Sequence, residues 1–422
     1  MQAHIVGVGA IGTLLASHTR AILRQRQRTE VVGATMFGQN ARSAKMAIPP
    51  HVVPYMPDAS ASSLTLHMRD RTYTSGKKVS GIVTAERDGV RMVESGCNVE
   101  LASAAGPDHV RTFWPDAHGA LQEVSGAQAT APIDSLLVTT KADAALGAIR
   151  RLVPRITPST TVVLLQNGMG VLDTLLENLW RDPSLRPNVI LASTTHGCYM
   201  KKPLHTIHAG FGALFFGIVP SARGGAHGFE QAVHTGLNTH TPLLDIGAIP
   251  DTAETRSLRE TVALLLSLPL DVHWEPIRAF QLRALRKLVI NACINPTTAL
   301  ADCKNGELFG SAPAWDLFQA LCTEASQVLE AHARDAKAGE EASELESRYL
   351  SSLPLADLLT QTDMQGLPLL DASLKPASLL HEVENVVRNT ASNWSSMHQD
   401  IKSRRGATEI DYINGYLSDL GP

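Results

Sequence analysis

The chain contains no CxxC pair and no HExxH arrangement. Its five cysteines, Cys97, Cys198, Cys293, Cys303 and Cys322, are odd in number and widely scattered, which argues against a disulfide framework and against a cysteine-based zinc site. Sixteen histidines occur without a short ligand pattern, so no metal is expected. No apolar stretch approaches the roughly 20 residues that a membrane span requires. Long runs of one charge are also missing. A net charge of −4 leaves no basic footprint for nucleic acid, and the cluster Arg20, Arg24, Arg26 and Arg28 reads more simply as the exposed end of a first helix. Neither a nucleic-acid nor a membrane partner is expected, and internal repeats are not evident. The first residues enter a strand at once and leave no room for a signal peptide, so the expected compartment is the cytoplasm.

What remains is an ordinary globular chain, with 422 residues at 44% hydrophobic and 18% charged, enough for two or more domains with full cores. Its start is informative. A short apolar strand, Met1 to Val6, ends in Gly7-x-Gly9-x-x-Gly12 and passes straight into a helical pattern at Thr13-Leu14-Leu15-Ala16. In a dinucleotide-binding turn one glycine permits the tight bend, one lets the pyrophosphate approach the backbone and one lets the helix pack on the strand. The turn Gly7, Val8, Gly9, Ala10, Ile11, Gly12 is therefore a candidate cofactor loop. The second strand, Ser63 to Arg71, finishes in Arg69-Asp70-Arg71 rather than in a lone carboxylate. A 2′-phosphate asks for cations and a bare ribose diol for an acid, so this end favours NADPH over NADH, with Asp70 as a counter-signal. About fifty residues separate the glycines from this strand where about 20 are usual, so residues 31–62 read as an insertion.

Further along, residues 81–93 resemble two short strands around an Asp-Gly turn. Residues 102–132, rich in Ala, Gly and Pro, read as a surface loop or second insertion. Strand patterns then return at 133–141, 160–166 and 189–196, alternating with helices. Such alternation predicts an α/β fold with an N-terminal Rossmann-type doubly wound parallel sheet over 1–277, where ligands bind outside the carboxyl ends of strands. Lys141, Asn167 and His196 fall there. Asn167, followed by Gly168 and Gly170, suits close approach of a ligand, whereas Lys141 or His196 taken singly reads better as a loop residue capping a helix. Strand patterns are expected between His205 and Gly217, and a helix and strand over 261–272. From about 278 to 422 helix follows helix (278–295, 314–333, 341–353, 379–401 and 410–417), which predicts a C-terminal all-helical domain, least legible over 335–373.

On the first of these helices Lys287, Asn291 and Asn295 stand four residues apart within a largely apolar run. Residues so spaced project in one direction. The stripe is either a solvated or hydrogen-bonded ladder or a polar site presenting one ammonium and two carboxamides.

Several blocks together resemble the ketopantoate reductase (2-dehydropantoate 2-reductase) family. They are the glycine turn, Val138-Thr139-Thr140-Lys141, Gln166-Asn167-Gly168-Met169-Gly170, Thr194-Thr195-His196-Gly197, Lys287-x-x-x-Asn291-x-x-x-Asn295-Pro296, Asn305-Gly306-Glu307-Leu308, Ser395-Ser396-Met397-x-Gln399-Asp400-Ile401 and Glu409-Ile410-Asp411-Tyr412-Ile413-Asn414-Gly415. The resemblance implies a helical domain like that of 6-phosphogluconate dehydrogenase. It also implies NADPH-dependent reduction of 2-dehydropantoate to pantoate in pantothenate and coenzyme A biosynthesis. On this resemblance Lys287 is the general acid, Asn291, Asn295, Asn393 and Ser396 hold the substrate, and Glu409 binds its hydroxyl side. Asn167 meets cofactor and substrate, Lys141 meets the cofactor, and Arg69 meets the 2′-phosphate. The chemistry agrees, because hydride arriving at a ketone builds alkoxide charge that a positioned ammonium polarises and protonates. If Lys287 lies close to Glu409, its ammonium form is favoured.

Departures from the family pattern are Leu285, where an aromatic residue is usual, the expanded stretches at 31–62, 102–132 and 335–373, and an end at Pro422 where the resemblance implies a further helix that would complete the C-terminal packing. Two rival readings stay open. One is an NADP-linked reductase of another 2-oxo acid on the same scaffold, and the other a non-catalytic dinucleotide-binding redox sensor, which would be expected to lack Lys287 or Glu409. A homodimer is compatible with the sequence.

Overall fold

The computed structural model describes residues 1–31, 48–69, 80–102, 110–116, 118–126, 129–220, 245–340, 359–362 and 368–421. The expected Asp70, Arg71 and the helix over 341–353 lie outside these residues, as does 32–47 of the first expected insertion. The chain divides into two compact units. The first comprises Met1–Thr140, Gly147–Leu165 and Leu179–Pro276, and the second Lys141–Leu146, Gln166–Asn178 and Ile277–Pro422.

In the first unit β1 (Gln2–Val6) turns into α1 (Ala10–Val31), and β2 (Ser63–Arg69) follows. Next come β3 (Val83–Arg87), β4 (Val90–Glu94), β5 (Asn98–Ala102), β6 (Val110–Pro115), β7 (Leu121–Val124) and β8 (Ser135–Val138). Beyond α2 (Ala142–Arg150), whose first residues belong to the second unit, are β9 (Thr161–Leu164), β10 (Asn188–Thr194), β11 (Gly197–Lys202), β12 (His205–Gly210) and β13 (Leu214–Ile218). Helix α3 (Val171–Asn178) belongs to the second unit, while α4 (Arg256–Leu266) and β14 (Val272–Trp274) close the first.

Among the described residues the main sheet runs β14-β13-β10-β9-β8-β1-β2-β5-β6-β7. From β10 to β5 neighbours are parallel, as βα alternation requires, but β13 pairs antiparallel with β10, β6 adds antiparallel to β5, and β7 antiparallel to β6. The expected parallel sheet therefore carries antiparallel strands at its edges. Residues 102–132, expected as a loop, supply two of those edge strands. Their short, mostly polar pattern hid them, because beyond Phe113 and Leu121, which reach the core, they are held by a tight turn and a cross-strand pair. Asp116 Oδ1 accepts from the His118 and Ala120 amides at 2.9 Å, and Arg111 bridges Glu123 at 2.7 Å.

A smaller sheet, β11-β12-β3-β4, packs on α1 and was not foreseen. Its β3–β4 turn is the expected Asp-Gly hairpin, with both residues at positive φ (51° and 78°), the conformation that suits the right-handed strand twist. The basic end of α1 is used here: Arg24 reaches the buried Glu94 carboxylate at 2.6 Å.

Strand alternation gives the main sheet two unlike faces. Ala3, Ile5, Leu64, Leu66, Val99 and Leu101 point into one apolar core. Gln2, His4, Thr65, His67, Asn98 and Glu100 occupy the other face, and of these His4, Thr65, Asn98 and Glu100 are buried.

The second unit has its own core, built from α5 (Ile277–Ala301), α6 (Ala312–Glu340), α7 (Pro376–Asn389) and α8 (Ser396–Lys402) around Leu288, Cys293, Phe318, Val383 and Met397. It also carries a hairpin, β15 (Leu359–Thr362) with β16 (Pro368–Leu370), within the stretch whose pattern was illegible. Leu285, the departure from the family pattern, is fully buried in this core, so the change is a matter of helix packing. The expected single helix 379–401 is two helices. Ser395 caps α8 by accepting from the His398 amide at 3.1 Å, and the intervening turn carries Asn393. The expected helix 410–417 opens into a π-turn at Asp411–Gly415 before α9 (Tyr416–Leu420). None of the described helices is long and apolar enough to cross a membrane.

Pro296 stands inside α5, where it cannot donate to the carbonyl four residues back, that of Ala292. Asn414 Nδ2 donates to that oxygen at 3.2 Å, which ties the π-turn to α5. Asn414→Ala should therefore cost about 1 kcal/mol in denaturant unfolding, the net worth of one such bond. The cost should shrink in a Pro296→Ala background, where a backbone donor returns, and an undiminished cost there would exclude this pairing.

Candidate active site

In the sheet unit the glycine turn shows why each glycine is required. Gly7 has φ +91°, and a Cβ there would lie 2.3 Å from the Thr140 amide nitrogen. A Cβ on Gly12 would lie 2.6 Å from the Gly7 carbonyl oxygen and 2.5 Å from Thr139 Oγ1, which itself donates to the Gly7 carbonyl at 2.7 Å. Gly9 differs: its Cβ would meet only the Gly7 oxygen, at 3.9 Å. The outer glycines are thus demanded by the fold, and the middle one keeps the approach open to the N-terminus of α1, which begins at Ala10. Val8 and Ile11 pack against the core beside it. Arg69 ends β2, the strand next to β1, with an exposed side chain and no ion pair among the described residues. The donor set and the open middle position fit a dinucleotide pyrophosphate.

In the helical unit the stripe on α5 meets the segment after β9. Lys287 Nζ donates to Asn167 Oδ1 at 3.1 Å. Asn167 is presented by a tight loop: Gly168 and Gly170 both have φ +85°, and a Cβ on Gly168 would lie 2.3 Å from the Tyr412 carbonyl oxygen. That oxygen accepts from the Met169 amide at 2.9 Å, so the loop is clamped on the C-terminal turn. Asn291 is half-buried and Asn295 buried, and neither carboxamide has a hydrogen-bond partner among the described residues.

Glu409 is buried, with its partner in Lys141. Lys141 Nζ lies 3.0 Å from Glu409 Oε2 and 3.2 Å from Asp400 Oδ2, while Glu409 Oε1 accepts from the Ala142 amide at 3.3 Å, at the start of α2. Arg405 bridges Asp143 at 2.7 Å and stands 3.7 Å from Asp400. Sequence reasoning missed Asp400 and Arg405, although Asp400 sits in a block already quoted for the family. It also missed Asp173 on α3, whose carboxyl is raised to about 7 by burial and by Glu177.

The Lys287 amine departs from expectation. Burial lowers its pKa to about 8 and outweighs the opposing attraction of Glu409, so the ammonium is weakened rather than favoured. Ser396 opens α8 without a side-chain hydrogen bond to another described residue, whereas its neighbour Ser395 is taken up by the cap and by Thr298 Oγ1 at 2.8 Å. Asn393 is exposed on the turn, where its carbonyl accepts from the Asn305 amide at 3.0 Å. His196 is structural: its Nε2 meets the Leu270 carbonyl at 2.9 Å, and its Nδ1 accepts from the Gly212 amide at 2.9 Å.

Family models described as "Ketopantoate reductase PanE/ApbA" and "Ketopantoate reductase PanE/ApbA C terminal" match residues 73–221 and 279–422. The chain belongs to the ketopantoate reductase family. Its relatives include the "Probable 2-dehydropantoate 2-reductase" of Schizosaccharomyces pombe, 29% identical over 288 residues and covering 68% of each chain. The 2-dehydropantoate 2-reductase of Vibrio cholerae is 29% identical over 291 residues, covering 68% of this chain and 71% of its own. Among solved structures, a probable 2-dehydropantoate 2-reductase from Bacillus subtilis matches all of this chain and 92% of its own at a TM-score of 0.51 and 19% identity. D-mandelate dehydrogenase in complex with NADH matches with a TM-score of 0.54 at 16% identity, covering 100% of this chain and 91% of its own. At such identities the likeness is one of fold.

The glycines separate stability from binding. Gly7→Ala should lower stability by at least about 2 kcal/mol, since it meets both a forbidden φ and backbone atoms. Gly9→Ala should leave the melting temperature nearly unchanged while weakening dinucleotide binding about tenfold or more, roughly 1.4 kcal/mol. Calorimetric titration beside thermal melts checks both, and unchanged affinity in Gly9→Ala would remove the loop from the cofactor site.

Proposed function

We propose that this chain reduces 2-dehydropantoate to pantoate with NADPH, as a cytoplasmic step of pantothenate and coenzyme A biosynthesis. The observation that carries the reading is the Lys287 amine held on Asn167, on the same stripe as two carboxamides that lack protein partners, in a unit that also orients the buried Glu409. In this reading Gly7, Val8, Gly9, Ala10, Ile11 and Gly12 hold the pyrophosphate, Arg69 the 2′-phosphate, and Asn167 and Lys141 the remainder of the cofactor. When bound, NADPH supplies the hydride.

Lys287 supplies the proton. With a pKa near 8 it is mainly protonated at neutral pH, yet acidic enough to transfer its proton to the oxygen of the C2 carbonyl as negative charge develops there. Asn291, Asn295, Asn393 and Ser396 orient the 2-oxo acid through neutral hydrogen bonds that add no competing charge. Glu409 accepts from the substrate hydroxyl, and Lys141 and the Ala142 amide hold its carboxylate in place.

Lys287→Ala should lower kcat by about 100-fold or more while leaving the melting temperature close to that of the parent. Because the acid form is the active one, reductive turnover should fall as pH rises through about 8. Glu409→Gln, by removing the influence that raises the Lys287 pKa, should move that limb to lower pH. A rate that climbs from pH 7 to pH 9 would reject Lys287 as the acid. The same assay run with ketopantoate, pyruvate and 2-oxoisovalerate decides the substrate, and equal use of all three would point to a broader 2-oxo acid reductase.

Cofactor choice is tested separately. Arg69→Ala should raise KM for NADPH about tenfold or more and leave KM for NADH nearly unchanged, since only the former carries the extra phosphate. An equal change for both would exclude a 2′-phosphate contact.

A further inference from the structure

The polar face of the main sheet holds a cluster that the reductase chemistry does not use. His4 Nδ1 lies 2.8 Å from His67 Nε2, His67 Nδ1 lies 3.1 Å from Glu100 Oε2, and Arg155 lies 2.7 Å from Glu100 Oε1. His4 and Glu100 are each 3% exposed, and one ligand atom from each of His4, His67 and Glu100 falls within 4.8 Å of the others. Of the cluster, His4, Glu100 and Arg155 border a cavity of about 350 Å³ that is also lined by Gln2, Thr65 and Asn98. It sits along the strands on the amino-terminal side of the Gly7 turn, so it is separate from the dinucleotide loop. A buried polar layer with a cavity beside it is expensive where the same strands present a fully apolar opposite face.

We propose that His4 and His67 bind a divalent transition metal of the zinc class, with Glu100 as the carboxylate that orients His67. Zinc replaces the proton shared between His4 Nδ1 and His67 Nε2. Two nitrogen lone pairs form the bonds, the displaced proton passes to water or to His4 Nε2, and no redox change occurs. A separation of 2.8 Å needs to open by only a few tenths of an ångström to accept two Zn–N bonds of about 2.0–2.1 Å. Cavity waters, or a small anion, complete the coordination.

The electrostatics suit this assignment. Burial, with His67 next, drives the His4 pKa well below the ordinary histidine value, so its imidazole is neutral and its lone pair available. Burial alone would raise the Glu100 carboxyl, but His67 and Arg155 overcome it and hold the pKa at about 2, so the group behind His67 is an anion. Carboxylate, histidine and metal in line is the arrangement that fixes a ligand's tautomer and raises its basicity. The Arg155 charge is balanced by Glu100 and faces the carboxylate rather than the two nitrogens. Neither short spacing nor a motif announces the site, because its two ligands lie 63 residues apart, the orienting carboxylate a further 33, and they converge only through strand pairing.

The test uses the full chain, stripped with chelator and titrated with Zn²⁺ and with Co²⁺ as a visible probe. Expected are one zinc retained per chain through dialysis, cobalt d–d bands of a nitrogen-ligated site, and a zinc-dependent rise in melting temperature. Affinity should fall about 100-fold in His4→Gln and in His67→Gln, and about 10- to 100-fold in Glu100→Gln, as for an outer-shell partner. His208→Gln, which removes an imidazole that lies 3.1 Å from His196 Nδ1 and outside the cluster, should bind as the parent does. Should the ligand variants fail to fold, X-ray absorption on the zinc-loaded parent decides: two nitrogen neighbours support the site and an all-oxygen shell overturns it. Failure of the parent to retain zinc, or equal loss in His208→Gln, also overturns it. Each readout is independent of reductase activity.

Discussion

A buried amine on a helix is stable only where oxygen atoms face it, and much of the helical unit is arranged to put them there. Lys287 is placed by the period of α5, but its partner Asn167 arrives from the distant loop after β9. That loop holds its shape because Gly168 and Gly170 adopt positive φ and because the Met169 amide is fixed on Tyr412. The Tyr412 turn is in turn docked through Asn414, which takes the carbonyl that Pro296 leaves unpaired on α5. The proline and the asparagine, more than a hundred residues apart, act as donor deletion and donor replacement. One consequence is that the helix carrying the amine and the segment carrying Glu409 are mutually positioned by hydrogen bonds rather than by apolar packing alone.

Electrostatics separate the two lysines. Lys141 stands between two carboxylates and is partnered as an ion pair, with Arg405 extending the network. Lys287 faces a neutral carboxamide and loses hydration, so its proton is held less tightly. Identical side chains are thus assigned unlike tasks by surroundings, a structural cation that aims Glu409 and a proton donor matched to neutral pH.

Much of the main sheet was legible because buried parallel strands are continuous apolar runs and βα alternation leaves few topologies. The edge strands from residues 110–124 and the small sheet on α1 were not. Their residues are polar on at least one side, and their stability comes from cross-strand pairs and a partner helix that no local window reveals. The break between α7 and α8 was obscured for a related reason. Thr390 to Ser395 contains no proline or glycine, and only the cap hydrogen bonds of the folded chain end one helix and start the next.

By itself the sequence determined the glycine turn, the stripe of Lys287, Asn291 and Asn295, and the succession of a strand-rich half by a helical one. These depend on local backbone sterics and on helical or strand period, which are properties of neighbours in the chain. Only the tertiary structure decided that Glu409 answers to Lys141, that Asp400 and Arg405 belong to the same network, that burial lowers the Lys287 pKa, and that His4, His67 and Glu100 converge on one sheet face. Pairing across strands, desolvation and through-space charge depend on which distant residues are brought within a few ångströms, and spacing along the chain does not encode that distance.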